Sequence, residues 1–527
     1  SRVTVTPPPA AQPAPPPVVS GPELSFTKVA DAAGLAHASG FTAGYAGMPS
    51  LFAGGAAVGD VDGDGDLDLF LLRGDTGDNL LMINQGGTFA RSTANAALDR
   101  IETPAGPLAK LSGPVLADFD GDGALDLFIG GLDGDGARLF KGDGAGGFSD
   151  VTSGSGLDAM TSENTISAAA GDYDGDGDLD LAMAHWGTAR AAAAPGETET
   201  LWRNESVGGV IRFVPVSEPA GISAGLGLDV EGKIGRDRDY SFAPNFADID
   251  ADGDLDLLLV SDFRSSRVFA NQGDGTFADV TDPTQISDTN GMGTDVADYD
   301  DDGRPDWFVS SINGNRLYRN MDGTLINQTQ MGAEAGSWGW GSCFADFDLD
   351  GDLDLFQTNG WINDTGSPDT EPYTQDRSRL WIQDGGTFTD EADRFGVDDT
   401  LQGRAVVCAD FDGDHAVDIL LLVNGSDEGA VVWRNTVSNA QSFTVRLDGP
   451  DGNAAGIGSK VEVTVSGKTQ TRWVRAGTTF TAQTAAPQVF GMGEASTTDS
   501  VRVTWPDGSE TVINDVSAGT DLRVSYD

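Results

Sequence analysis

From Asp60 to Asp68 the chain reads DVDGDGDLD, and the pattern D-x-D-x-D-x-x-x-D returns at Asp118, Asp172, Asp248, Asp298, Asp346 and Asp410. Aspartate is a poor core residue, so seven such clusters need a common physical cause. A hard divalent cation supplies one, because calcium takes six to eight oxygen ligands and alternate carboxylates of a tight loop can wrap it. Position 6 is Gly in six copies (Gly65, Gly123, Gly177, Gly253, Gly303, Gly351), where a sharp turn needs positive φ. An apolar run follows each copy, such as LDLFLL from Leu67 and LDLLLV from Leu255. The unit is a metal-binding turn feeding a buried strand. Without a cation, four carboxylates in nine residues repel one another strongly.

An EF-hand would carry a bidentate Glu at position 12. Here that position is Leu71, Ile129, Met183, Leu259, Val309, Gln357 and Leu421, whereas position 9 is Asp in every copy. Ligation is therefore expected from side chains at 1, 3, 5 and 9, with a backbone carbonyl at 7. The first three loops give Asp60, Asp62, Asp64, Asp66 and Asp68; Asp118, Asp120, Asp122, Ala124 and Asp126; and Asp172, Asp174, Asp176, Asp178 and Asp180. The next two give Asp248, Asp250, Asp252, Asp254 and Asp256, then Asp298, Asp300, Asp302, Arg304 and Asp306. The last two give Asp346, Asp348, Asp350, Asp352 and Asp354, then Asp410, Asp412, Asp414, Ala416 and Asp418. Up to seven calcium ions are implied. The Asp410 loop is expected to be the weakest, because His415 stands where the others have Gly and pays for a left-handed backbone.

The chain has 527 residues and a net charge of −52, a surface that repels nucleic acid and anionic membrane. No apolar run approaches bilayer-spanning length. Calcium loops of modest affinity fill where calcium is millimolar, which places the protein outside the cytosol: secreted, periplasmic or at the cell surface. Residues 1–21, including PPPAAQPAPPP, read as an extended leader suited to tethering a domain away from a surface. Cys343 and Cys408 precede their loops by three and two residues, so their parity differs. On neighbouring units they could meet across the interface or point apart. Two buried thiols are slightly favoured over a disulfide.

The loops recur every 48 to 76 residues, the spacing of whole supersecondary units. Each unit offers a short strand before the loop and an apolar strand after it. A strand such as RLFKGD or RVFANQ follows, then a Gly-rich turn and a final strand such as GGFSDVT. That is four strands per blade, so the fold expected is all-β, a seven-bladed propeller over 22–440. The last unit lacks its own fourth strand after VVWRN, and LSFTKVADAAGL (Leu24 to Leu35) can complete it, removing exposed edges. From 441 to 527, KVEVTV, TQTRWV and SVRVTW alternate apolar and polar residues, predicting an independent small antiparallel β domain.

These repeats resemble the FG-GAP/VCBS repeats of integrin-α-type propellers. The tail resembles the UnbV/ASPIC domain through FTVRLDG, AAGIGSKVEVTVSGKTQTRWVRAG, VFGMG (Val489 to Gly493) and VRVTWPDG (Val501 to Gly508). The pairing is similar to the cartilage acidic protein family over nearly all of 22–527. Animal members add an EGF-like module that is missing here, which points to a bacterial relative. Family members often carry S-N-R ahead of an I-G-A-R-like turn. Gly452-Asn453-Ala454 and Gly458-Ser459-Lys460 stand there instead, so a role for that arginine does not carry over.

In a four-stranded meander the calcium loops and the short 3–4 turns share one face. The long insertions, roughly 91–113, 184–200, 216–243 and 358–378, fall on the other, as functional loops often do. His185, Trp186, Trp338, Trp340 and Trp361 gather at strand ends there, as candidates for contact with a glycan or a cell-surface protein. Capping of the core is the favoured alternative for them. Arg73-Gly74-Asp75 is a coincidence of a chain rich in Gly and Asp. With three histidines, no H-E-x-x-H and no G-x-S-x-G, no catalytic residues stand out. A calcium-stabilised binding or adhesion protein is expected. A polysaccharide lyase or hydrolase using the insert face and a structural subunit of a surface assembly are the alternatives.

Overall fold

The computed structural model describes residues 23–30, 32–40, 49–93, 95–103, 106–108, 110–191, 195–226, 237–312, 314–361, 370–424, 429–438, 441–477, 479–484 and 487–526. The proline-rich leader lies outside them. Seven antiparallel sheets of four strands form the blades. Blade 1 runs Gly55–Gly59, Asp68–Leu72, Leu80–Asn84 and Phe89–Arg91. The inner strands of blades 2 to 6 are Leu111–Ala117, Ser167–Gly171, Ser241–Ala247, Gly291–Ala297 and Gly339–Ala345. Blade 7 takes Gly403–Ala409, Asp418–Val423 and Ala430–Asn435 from the end of the repeat region and its outer strand from Phe26–Lys28, registered Phe26 to Asn435.

Each second strand begins at the loop's ninth residue and is buried throughout, because both faces pack against neighbouring blades. Inner strands are rich in Gly, Ala and Ser because they converge on a narrow axis. A Cβ on Gly293 would lie 2.3 Å from the Trp340 carbonyl and 2.5 Å from that of Thr479. The inner strands neighbour one another in order, and that of blade 7 packs against that of blade 1. The apolar core follows the same ring, with Leu69, Leu71, Val407 and Leu420 in one cluster.

Cys343 and Cys408 form a disulfide, Cα to Cα 6.3 Å, joining the inner strands of blades 6 and 7. The slight preference for free thiols is thereby corrected. One face of a blade meets the opposite face of its neighbour, so residues of opposite parity on adjacent inner strands face one another across the gap.

The tail has two sheets and its own core, and one of its strand pairings is parallel where all were expected to be antiparallel. Gln441–Asp448 pairs antiparallel with Gln488–Gly493 but parallel with Asp521–Ser525. A second sheet orders Lys468–Trp473, Lys460–Val465, Ser500–Thr504 and Glu510–Asn514. Phe443, Val463, Phe490, Val503 and Trp505 fill the space between the two sheets. The loop between the sheets leaves the tail and enters the propeller's central channel. There Ala482–Thr484 adds to the inner edge of blade 1, parallel to Gly55–Gly59. Ala476 bridges Ala170 of blade 3, Thr479 Oγ1 donates to the Val406 carbonyl of blade 7, and the Gln483 amide bonds Leu116 of blade 2. Within the segment Phe480 is fully buried against Phe52, Phe242 and Trp340. Backbone donors that a ring of inner strands leaves unpaired along its axis find partners on this segment.

Candidate metal loops and the face opposite

Each aspartate loop folds around its own backbone donors. In the first, Asp60 Oδ1 accepts from Gly63 N at 2.8 Å and Asp60 Oδ2 from Gly65 N at 2.9 Å, while Asp64 Oδ1 accepts from Asp66 N at 2.9 Å. Two left-handed residues make the turn. Position 6 is the one legible in the sequence, but position 4 is left-handed too, and three loops place non-glycine residues there: Ala251 (φ 61°), Asp301 (φ 57°) and Leu349 (φ 61°). His415 occupies position 6 of the seventh loop at φ 65° and still donates its backbone N–H to Asp410 Oδ2 at 2.9 Å.

The ninth residue is the anchor. Asp68 Oδ2 accepts from Val61 N at 3.0 Å and Oδ1 from Asn84 N at 2.8 Å. Asp126, Asp180, Asp256, Asp306, Asp354 and Asp418 repeat this double acceptance. Burial raises these carboxyls far above their usual range, to about 7 for Asp68, Asp126 and Asp256, about 8 for Asp418 and about 9 for Asp306. Asp180 and Asp354 are likewise raised well above the usual carboxylate range by the same cause. An interior that disfavours lone carboxylates this strongly favours a cation beside them.

Carboxylate oxygens converge accordingly. Those of Asp60, Asp62 and Asp68 lie within 4.8 Å of one another, as do those of Asp172, Asp174 and Asp180 and of Asp248, Asp250 and Asp256. In the second and fifth loops the convergent set is Asp118, Asp120 and Asp122, and Asp298, Asp300 and Asp302. Asp120 Oδ1, Asp174 Oδ1, Asp300 Oδ1, Asp346 Oδ1 and Asp412 Oδ1 are buried without a hydrogen-bond partner. Hard oxygen donors with orphaned inward atoms fit a hard divalent cation.

Sequence reasoning missed the residues that join one loop to the next. Asn84, Asn204, Asn271, Asn320, Gln383 and Asn435 occupy one position of the third strand. Each side-chain amide donates to the carbonyl at position 2 of the preceding blade's loop: Phe411, Phe119, Tyr173, Ile249, Tyr299 and Phe347. Blade 2 has Gly142 at this position, and Gly146 N reaches the Val61 carbonyl instead, at 2.9 Å. The signal was present in INQ (83–85), ANQ (270–272) and the RN pairs at 203–204, 319–320 and 434–435, where it reads as ordinary turn chemistry.

The tail rests on the aspartate face. Lys468 Nζ pairs with Asp301 Oδ2 at 3.0 Å and with Asp352 Oδ1. Gly491 N donates to Asp346 Oδ2 at 3.1 Å and Gly493 N to the Leu349 carbonyl at 2.9 Å. His415 Nδ1 lies 2.8 Å from Thr444 Oγ1, and Ser442 Oγ donates to the His415 carbonyl at 2.7 Å. Three of the four residues that break the repeat pattern, Asp301, Leu349 and His415, are thus touched by the tail; Ala251 is the fourth.

On the opposite face, His185, Trp340 and Trp361 are buried. Trp340 stacks on Trp361 with centroids 5.8 Å apart and lies under the Arg404 guanidinium at 4.3 Å. His185 Nε2 bonds the Glu199 carbonyl at 2.8 Å, and burial lowers its pKa. These three serve the core in this structure, as a large apolar ring closing a channel requires. Trp186 and Trp338 are half-buried at the rim, with Tyr240, Phe263 and Tyr373. Arg73 of the Arg-Gly-Asp triplet is turned inward, its Nε donating to the Ala38 carbonyl at 2.7 Å.

Fold and loops together define a β-propeller of FG-GAP-like repeats carrying an ASPIC and UnbV domain. The FG-GAP-like repeat matches residues 60–129, 118–183, 248–309 and 298–356, and the "ASPIC and UnbV" family matches 449–527. The chain is 25% identical over 511 residues to cartilage acidic protein 1 of Mus musculus, covering 88% of this chain and 72% of the relative. It is 24% identical over 497 residues to the Xenopus tropicalis protein of that name, with the same coverages. Similar solved structures include an Agrocybe aegerita lectin recognising non-reducing terminal N-acetylglucosamine, at 18% identity and TM-score 0.39, covering 70% of this chain and 84% of that one. A Bacillus licheniformis rhamnogalacturonan lyase matches at 17% identity and TM-score 0.37, covering 72% and 70%. No described helix is long and apolar enough to cross a membrane.

Proposed function

We propose that this chain is a calcium-stabilised binding protein of the cell exterior or envelope, which recognises a glycan or a protein through the face opposite the aspartate loops. One observation carries the assignment of faces. The loops and the docked tail share one side, and the other carries a rim of half-buried aromatics, Trp186, Tyr240, Phe263, Trp338 and Tyr373. Amphipathic aromatics with neighbouring polar groups suit sugar rings and protein hot spots alike. Calcium as the loop ion, and a compartment rich in it, follow from all-oxygen donor sets; the disulfide agrees with an oxidising location.

The experiment is a glycan array and a cell-surface pull-down with calcium-loaded protein, alongside Trp186→Ala and Trp338→Ala. Binding lost in either rim variant, with an unchanged melt, supports the reading. Binding that survives both, but fails when exposed tail residues are altered, moves the site to the tail. Turnover of a polysaccharide would replace binding by catalysis on that face.

A further inference from the structure

The third strand of each blade places one residue, just before the amide or glycine described above, over its own aspartate loop. In chain order these residues are Ile83, Lys141, Arg203, Ala270, Arg319, Ile382 and Arg434. In blades 2, 5 and 7 the residue is a cation whose head group reaches the loop's third position. Lys141 Nζ pairs with Asp120 Oδ2 and, at 2.8 Å, with Asp122 Oδ2. Arg319 Nε lies 2.5 Å from Asp300 Oδ2, and Arg434 Nε lies 2.7 Å from Asp412 Oδ2. In all three loops the other oxygen, Oδ1, is buried with no partner, and the Asp120 side chain is 0% exposed. The cation therefore pairs with Oδ2 and leaves Oδ1 without a hydrogen-bond partner.

Blades 1 and 4 have Ile83 and Ala270 instead. Among the described residues no Lys or Arg pairs with Asp60, Asp62, Asp64, Asp248, Asp250 or Asp252. Blade 6 has Ile382, but the tail's Lys468 reaches its Asp352. The chelating positions are alike throughout, so the loops differ in net charge and not in ligand set. Affinity of an all-oxygen calcium site follows ligand charge and rigidity. A fixed positive charge a few ångströms away opposes an incoming dication, only partly screened at a half-buried site.

We infer that five of the seven loops fall into two classes of calcium site: open loops at Asp60 and Asp248, which fill first, and capped loops at Asp118, Asp298 and Asp410, which fill at higher calcium. The strand-three cation contributes to the difference together with position 7, which is Asp66 and Asp254 in the open loops but Ala124, Arg304 and Ala416 in the capped ones. Lys141→Met and Ile83→Lys change the first alone. The inference rests on calcium being the loop ion and deepens that reading.

The test is calcium binding to the full chain by equilibrium dialysis with elemental counting across free calcium, checked by site occupancy in crystals grown at limiting calcium. Wild-type protein should bind two ions about tenfold more tightly than the capped sites. Lys141→Met should move one ion into the tight class, and Ile83→Lys or Ala270→Lys should remove one. The two lysine insertions are independent, so misfolding of one leaves the other decisive. A single uniform class, or weaker binding in Lys141→Met, overturns the division into classes while leaving calcium as the ion. No bound ion at millimolar calcium overturns both.

Discussion

The Asn84 side-chain amide donates to the Phe411 carbonyl at 2.8 Å, across 327 residues, and so fastens the first blade's third strand to the seventh blade's loop. Its second hydrogen goes to the Leu67 carbonyl at 3.1 Å. One buried amide thus closes the ring on the loop face, as Phe26–Lys28 closes it at the outer edge. Asn84→Ala leaves two buried carbonyls short of a donor, a loss of about 1–3 kcal/mol. Equilibrium denaturation should show it, with Gln272→Ala, an exposed turn residue, near zero.

Chelation should lower the melting temperature and broaden the transition, since ions that bind only the folded chain stabilise it by mass action. At a hundredfold excess over Kd, each site contributes about 2.7 kcal/mol. Calorimetry with and without EDTA, and elemental analysis, check this. An unchanged melt and absent metal would refute calcium binding.

Phe480→Ala removes the ring that the tail contributes beneath Phe52, Phe242 and Trp340. Large-to-small changes at such sites cost about 3–5 kcal/mol. Limited proteolysis should then cut between propeller and tail sooner than in the wild-type chain. Equal resistance would mean that the inserted segment does not hold the tail in place.

Replacing Cys343 and Cys408 by Ser opens a loop of sequence separation 65, and should cost about 2–4 kcal/mol. Denaturation with and without reductant would show the wild-type protein falling to the level of the double variant.

His185 tests the buried rim by pH. Its pKa is lowered by burial and then by Arg190, against the opposing Asp239 and Glu199. The folded state thus prefers the neutral ring. That stability is present above the unfolded value, about 6.5, and is lost as pH falls through the folded value. The stability difference between wild type and His185→Gln should therefore shrink below about pH 6.5. A difference independent of pH would show that the ring does not titrate on unfolding.

The aspartate loops, the glycines at position 6 and the four-strand rhythm were legible in the sequence because each is local: a turn, its ligands and the strand it feeds lie within a few residues. So was the missing fourth strand, since Leu24 to Leu35 repeats the form of its absent counterpart. Contacts between distant segments were not legible. Nothing in the local pattern tells Asn84 that it faces Phe411, or separates Trp340 and Trp361 in the core from Trp186 and Trp338 at the rim. His415 looked like a lapse in a repeat, and the docked tail makes it a contact, together with Asp301 and Leu349. The unit was therefore fixed by nearest-neighbour chemistry written along the chain. The closed ring, the filled channel and the free face were decided by packing among units, where burial depends on what arrives from elsewhere in the fold.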